Sequence, residues 1–202
     1  GESATADARL LELHPDSDGS TVLAQAGGEP VRFRLNAPGR HMAMNALAAL
    51  TAAAALDIPA VDAARVLEAF SPIAGRGARC ILALPGGPAL LLDESYNGNG
   101  ASVRAALAVL HLQPARRRIA VLGDMLELGD EGPVEHVGLA PTVAASADLV
   151  FTCGKLMRHL FESVPESLRG SHASDSAALA PLVAAALAPG DAVLVKGSLG
   201  SR

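Results

Sequence analysis

The stretch "LLLDESYNGNGASVRAAL", residues 90–107, changes character twice within eighteen positions. An apolar run ends abruptly at Asp93, a polar turn follows, and an alanine-rich helical pattern starts at about Ala101. Continuous rather than alternating apolarity marks a strand covered on both faces, as in parallel sheets. A buried strand, a short polar turn and a helix form one unit of an alternating strand–helix fold. The turn also carries Tyr96, the only tyrosine of a chain that has no tryptophan. Its polarity therefore needs a local reason.

The alternation continues toward the C-terminus. "RIAVLG" ends at Gly123 and leads through "DMLELGDEG" to a helix from about Pro133; "DLVFTCG" precedes "KLMRHLF"; the helical "DSAALAPLVAAAL" precedes "DAVLVKG". These units predict an α/β fold, a Rossmann-like and mostly parallel sheet with right-handed crossovers. Before them the pattern differs. Residues 8–35 read as a β-meander of three short strands separated by the turn compositions "PDSDG" and "GGEP". A long helical pattern then opens after Pro38 and Gly39 and stops before Pro59, and a second helix is expected over residues 61–70. Pro72, Gly75 and Gly77 fall within six residues of "SPIAGRGAR", which reads as a linker. The expected division is 1–74 and 75–202.

The 202 residues suffice for one domain and part of another, and half of them are apolar. A net charge of -5 gives no reason to expect nucleic acid or an anionic membrane surface as partner. A small molecule is the better expectation. Cys80 and Cys153 lie far apart and match no metal-ligand spacing, which predicts no metal site and suits a reducing cytoplasm. The longest apolar stretch, residues 43–56, is too short for a membrane span. The chain opens at Gly1 in mid-pattern, so a fragment of a longer protein is expected, and a monomer.

In open α/β sheets, ligands gather beyond the carboxyl ends of the strands. Here those ends read "DESYNGN", "GDMLELGDE", "CGK" and "KGS". One polar turn is commonly only a helix cap, with Asn99 or Ser102 in that role. Four in succession point to a site. Asp93 and Glu94 can accept from sugar hydroxyls, Asn97 and Asn99 can pair with amide or base edges, and a helix N-terminus attracts anions. That chemistry suits a nucleotide or a peptide. Lys155 and Lys196 follow strands and would add positive charge, or simply sit solvated. His41 and Asn45 are four residues apart and share a helix face, where a buried, satisfied polar pair is the plainer reading. Arg76 and Arg79 in the linker are surface charges, or reach phosphates. The chain has no G-x-x-x-x-G-K-[ST] loop, since Gly154 and Lys155 lack the upstream glycine, and no G-x-S-x-G elbow or G-x-G-x-x-G.

Four motifs in order carry a resemblance: "GRHMAMNALAAL" to G-x-H-x-x-x-N-x-x-A-A, "GR" at Gly75 and Arg76, "DESYNGN" to D-[DE]-x-Y-N-A-N, and "GDMLELG" at residues 123–129; "LVKGS" near the end agrees with them. Together they resemble the ATP-dependent Mur ligases of peptidoglycan synthesis, most closely the branch that adds D-Ala-D-Ala to UDP-N-acetylmuramoyl-tripeptide. The resemblance implies that residues 1–74 are the end of a central ATP-binding domain and 75–202 a C-terminal Rossmann-like domain. ATP and Mg2+ would serve the full-length parent, with none bound tightly here, and a final helix is expected after Arg202.

By position, the resemblance implies that Asn45 faces adenine with His41 in support, that Arg76 contacts an ATP phosphate, and that Asp93 or Glu94 holds the ribose. It implies that Tyr96, Asn97, Asn99 and Lys196 border the dipeptide, and that no catalytic residue lies within the chain. Gly98 stands where alanine is usual and Leu199 where "KGSR" is common; the first would loosen the turn, the second would move a charge away from the dipeptide carboxylate. The implied reaction proceeds through an acyl phosphate, and the chain alone is expected to be inactive. The alternatives are a stand-alone, non-catalytic Rossmann-like module that binds a nucleotide or peptide, and another ligase of the Mur and folylpolyglutamate superfamily.

Overall fold

The computed structural model describes residues 1–200 and divides the chain into two compact units, Gly1–Pro72 and Ile73–Arg202. In the first unit, β1 (Ala8–Pro15), β2 (Ser20–Ala26) and β3 (Val31–Leu35) form an antiparallel sheet in that order. The β1–β2 turn is closed by Asp16, whose Oδ1 accepts the Asp18 and Gly19 N–H groups at 2.9 and 3.0 Å. The Arg34 guanidinium beside it holds that carboxyl well below the usual carboxylate range. Two helices, α1 (Arg40–Ala54) and α2 (Ala60–Glu68), pack against the sheet around Val22, Phe33, Leu35, Leu47 and Leu50. α1 ends well short of Pro59, because the chain turns through Asp57 at a φ of 58°.

The second unit holds a six-stranded sheet in the order β4-β5-β9-β6-β7-β8. Its strands are β4 (Ala78–Leu84), β5 (Gly87–Glu94), β6 (Arg117–Gly123), β7 (Leu149–Cys153), β8 (Arg169–Ala173) and β9 (Asp191–Lys196). All pairings are parallel except β4 with β5, which form a hairpin through Pro85 and Gly86, the latter at a φ of 90°. Proline followed by a glycine at positive φ is the chemistry of a tight two-residue turn. The mostly parallel α/β reading therefore holds, with two strands, β4 and β8, that the apolar pattern did not mark.

The helices are α3 (Gly100–His111), α4 (Gly132–Val137), α5 (Ala140–Ser146), α6 (Met157–Ser163) and α7 (Ser176–Ala186). One core joins Leu92, Leu122 and Leu194 of the sheet to Leu107 and Leu110 of α3 and Leu160 of α6. A smaller one joins Ile119, Phe151 and Val193 to Leu179 of α7. The connection β5–α3–β6 steps over β9, and β8–α7–β9 returns in the opposite direction, so the winding reverses beside β9. Registers Glu94↔Lys196, Leu122↔Lys196 and Gly123↔Cys153 bring the carboxyl ends of four parallel strands to one edge. That edge, at a reversal of winding, is where this fold class opens a crevice.

The break lies two residues before the one the linker composition suggested: Arg76 donates its N–H to the Ile73 carbonyl at 2.9 Å, which ties Ile73 to the segment that follows. Gly77 donates its N–H to the Asp93 carbonyl at 2.9 Å, and Tyr96 donates to the Gly75 carbonyl at 3.0 Å. The glycine-rich segment is thereby knitted onto the end of β5.

Candidate functional site

Where β5 runs out of apolar residues, two adjacent acids behave differently. Asp93 Oδ2 accepts the Gly75 N–H at 2.8 Å, and its Oδ1 accepts the Ser95 N–H at 3.2 Å and the Ser95 hydroxyl at 2.6 Å. Burial pushes this carboxyl up, but the hydrogen bonds from Ser95 and Gly75 outweigh it and leave it below the ordinary aspartate value. Both oxygens are occupied in shaping the turn. Glu94 instead has its carboxylate 3.7 Å from the Lys196 ammonium, and its side chain is 19% exposed. Burial raises its pKa, against the pull of Lys196.

Lys196, at the end of β9, is only 4% exposed. Its Nζ donates to the Asn97 carbonyl at 2.9 Å and to the Glu94 carbonyl at 3.4 Å. Burial lowers its pKa, and Glu94 opposes that. The ammonium thus lies beneath the turn and braces it. Tyr96 is half-exposed, with the Arg76 guanidinium carbon 4.0 Å from its ring centroid. The exposed Asn97 accepts the Gly98 N–H at 2.8 Å. Asn99 caps α3: its Oδ1 accepts the Ser102 N–H at 2.8 Å while Ser102 Oγ accepts the Asn99 N–H at 3.0 Å. That reciprocal pair satisfies two backbone groups at once.

Arg76, Asp93, Glu94, Tyr96, Asn97, Asn99 and Lys196 therefore surround the ends of β5 and β9 within the second unit. His41 and Asn45 stand on α1 of the first unit; His41 is half-buried, whereas Asn45 is exposed. The plainer reading of a buried polar pair fails on that exposure. Arg79 is half-buried on β4, and Lys155 is exposed beyond β7.

Two residues that the sequence reading passed over hold the edge together. Ser198 accepts the Leu126 N–H at its Oγ and donates its own N–H to the Asp124 carbonyl, both at 3.0 Å. The Asp124 carboxylate accepts the N–H groups of Met157 at 2.7 Å and Leu156 at 3.3 Å, capping α6. Buried His136 receives the Met125 N–H at Nε2, at 3.0 Å, and so donates from Nδ1 to the Gly132 carbonyl. The "GDMLELG" and "KGS" motifs act mainly on each other. An acid directly after one strand and a serine two residues past another were the available signals.

A cavity of about 490 Å3 opens on the α7 side of the same strands, walled by Val121, Leu179, Val183 and Val195. Among the described residues no three carboxylates, histidines or cysteines come together to hold a metal ion. No helix among them is long and apolar enough to cross a membrane.

Residues 78–199 match the family model described as "Mur ligase, glutamate ligase domain". A curated relative, the UDP-N-acetylmuramoyl-tripeptide–D-alanyl-D-alanine ligase of Escherichia coli, is 35% identical over 201 residues, spanning 97% of this chain and 42% of its own length. The Bacillus subtilis enzyme of the same name is 32% identical, spanning 81% of this chain and 36% of its own. The chain thus spans about two fifths of the length of these relatives. Among solved structures, MurF from Acinetobacter baumannii superposes with a TM-score of 0.83 at 24% identity, covering 99% of this chain and 44% of that one. At that identity the likeness speaks for the fold.

Proposed function

The chain belongs to the Mur ligase family, and from that premise we propose that it forms the later part of an ATP-dependent carboxylate–amine ligase. The ligase would join D-Ala-D-Ala to UDP-N-acetylmuramoyl-tripeptide in the bacterial cytoplasm. The observation that carries this reading is the cluster at the ends of β5 and β9, where the arginine, the spare acid and the asparagines of the turn converge.

In this reading the two acids divide their work. Asp93 is committed to Gly75 and Ser95, so Glu94 accepts from the ribose hydroxyls. Arg76, which has no ion pair among the described residues, donates to the phosphates. Asn45 offers its amide to the adenine edge, supported by His41. Asn97 and Asn99 present amides along the approach of the dipeptide. Lys196 fixes the turn that carries them, which makes it a brace for the ligand site.

The reaction joins a carboxylate to an amine in two steps. A carboxylate oxygen of the tripeptide attacks the γ-phosphorus of ATP and ADP departs; the neutral amine of the dipeptide then attacks the acyl carbon, expelling phosphate and losing a proton. Among the described residues no three carboxylates, histidines or cysteines gather, so they offer no all-protein cage; Mg2+ in nucleotide sites is held by one or two carboxylates together with the substrate phosphates, and here it would arrive with ATP. This chain supplies orientation and exclusion of water, which are worth several orders of magnitude in rate when geometry is held. With no Walker A pattern, the isolated chain is expected to hydrolyse no ATP.

Phosphate release by the whole protein that carries this chain tests the reading. Release is expected only when ATP, UDP-N-acetylmuramoyl-tripeptide and D-Ala-D-Ala are all present. Turnover with glutamate on a folate acceptor instead would contradict it.

A further inference from the structure

The one tyrosine of the chain stands beside the one arginine of the site, and neither has an obvious reason to hold still. Tyr96 is 49% exposed and Arg76 is exposed. A rotamer-rich arginine on a loop normally wanders. Here the backbone beneath both side chains is pinned. Tyr96 donates its N–H to the Gly75 carbonyl at 3.0 Å, Arg76 donates to the Ile73 carbonyl at 2.9 Å, and Gly75 donates to Asp93 at 2.8 Å. Gly75 has a φ of 76°, and a Cβ there would lie 3.1 Å from the Tyr96 Cβ. The two segments lie so close that the guanidinium carbon sits over the ring, 4.0 Å from its centroid.

We propose that Tyr96 is a positioning residue: its ring holds the Arg76 guanidinium in one plane, so that an incoming polyphosphate meets donors already oriented. The inference rests on the reading above that Arg76 contacts phosphate, and adds how it is made ready. A guanidinium carries its N–H donors in its plane, so stacking on a ring leaves them open for phosphate oxygens. The phenol hydroxyl has no part in this, which separates the role from direct binding through that hydroxyl.

The test is a set of titrations of the 202-residue chain with ATP, inorganic tripolyphosphate and adenosine, followed by amide and arginine side-chain NMR. In the unmodified chain and in Tyr96→Phe, the Arg76 side-chain protons are expected to be shifted upfield by the ring. In Tyr96→Leu that shift disappears, and affinity for ATP and tripolyphosphate falls about two- to fivefold, the size of a cation–π contact at an exposed site. Adenosine, which has no phosphate, is expected to bind all three alike. An equal loss for adenosine would show a merely structural role and overturn the proposal. Unchanged ATP affinity in Tyr96→Leu, with a clear loss in Arg76→Ala, would overturn the platform while leaving the phosphate reading intact. Unchanged ATP affinity in Arg76→Ala would remove the phosphate reading and the platform with it.

Discussion

Asp93 and Glu94 are neighbours in sequence, yet their side chains meet different partners, and substitution should separate them. Asp93→Ala removes an acceptor shared by Gly75 and Ser95. Hydrogen bonds to a charged group are each worth roughly 1.5–3 kcal/mol, so a loss of about 2 kcal/mol of unfolding free energy is expected in denaturant titration. Glu94→Gln keeps the shape of a side chain whose charge burial already disfavours. It also removes the counter-charge 3.7 Å from the buried Lys196 ammonium, so some stability is lost, but ATP binding is expected to weaken far more than in Asp93→Ala; an equal loss of ATP affinity in both variants would contradict the division. Gly98, at the alanine position of the D-[DE]-x-Y-N-A-N pattern, has room for a methyl group: a Cβ there would lie 3.4 Å from the nearest backbone atom, and no positive φ is involved. Gly98→Ala is expected to raise stability by about 0.4–1 kcal/mol by restricting the unfolded chain, and a loss would show that the turn needs glycine after all. The sequence could show that this turn was polar but could not apportion its acids, because the deciding partners, Gly75 and Lys196, lie 18 and 102 residues away from Asp93 and Glu94.

Elements whose apolar pattern was strong were legible: β5, β6, β7 and β9 read as continuous buried runs, and the three strands of the meander as alternation between clear turns. β4 and β8 were not. Each sits at an edge of the six-stranded sheet, where only part of a strand is buried and the pattern fades; β8 reads "RGSHA" and pairs through an irregular register. β9 was legible as a strand, but its anchor was not. At its start, Asp191 accepts from Arg117 Nε at 3.0 Å and Nη2 at 2.7 Å, and from the Ala188 N–H at 2.8 Å, with its own side chain fully buried. Burial pushes the Asp191 carboxyl up, but these hydrogen bonds outweigh it and hold it below the usual aspartate value. A depressed folded pKa means that the unfolded chain binds the proton more tightly. The stabilisation is therefore complete above about pH 4, the ordinary aspartate value, and is lost as pH falls through the lower folded one. Asp191→Asn should cost about 2 kcal/mol at neutral pH and flatten this acid limb of the stability profile. An unchanged limb would assign it to other carboxylates.

At the scale of the molecule, the chain builds three cores, one under the antiparallel meander and one on each face of a mostly parallel sheet, and the proposed chemistry lies at the carboxyl edge of that sheet. The order of motifs made the family readable, while the geometry explains what most of those residues do for each other: Lys196, Asp124 and Ser198 hold loops, and in the proposed function Arg76, Glu94 and the exposed amides meet the ligand. A few charge-assisted hydrogen bonds, without a phosphate-binding loop, correspond to a dissociation constant of about 1 mM, or roughly -4 kcal/mol. The most direct test of the central claim is an amide chemical-shift titration of this chain with ATP. Weak, saturable shifts are expected at Arg76 and Glu94, with Asp93 following only through the turn. Shifts confined to other parts of the chain, or none at millimolar ATP, would contradict a nucleotide site at the ends of β5 and β9.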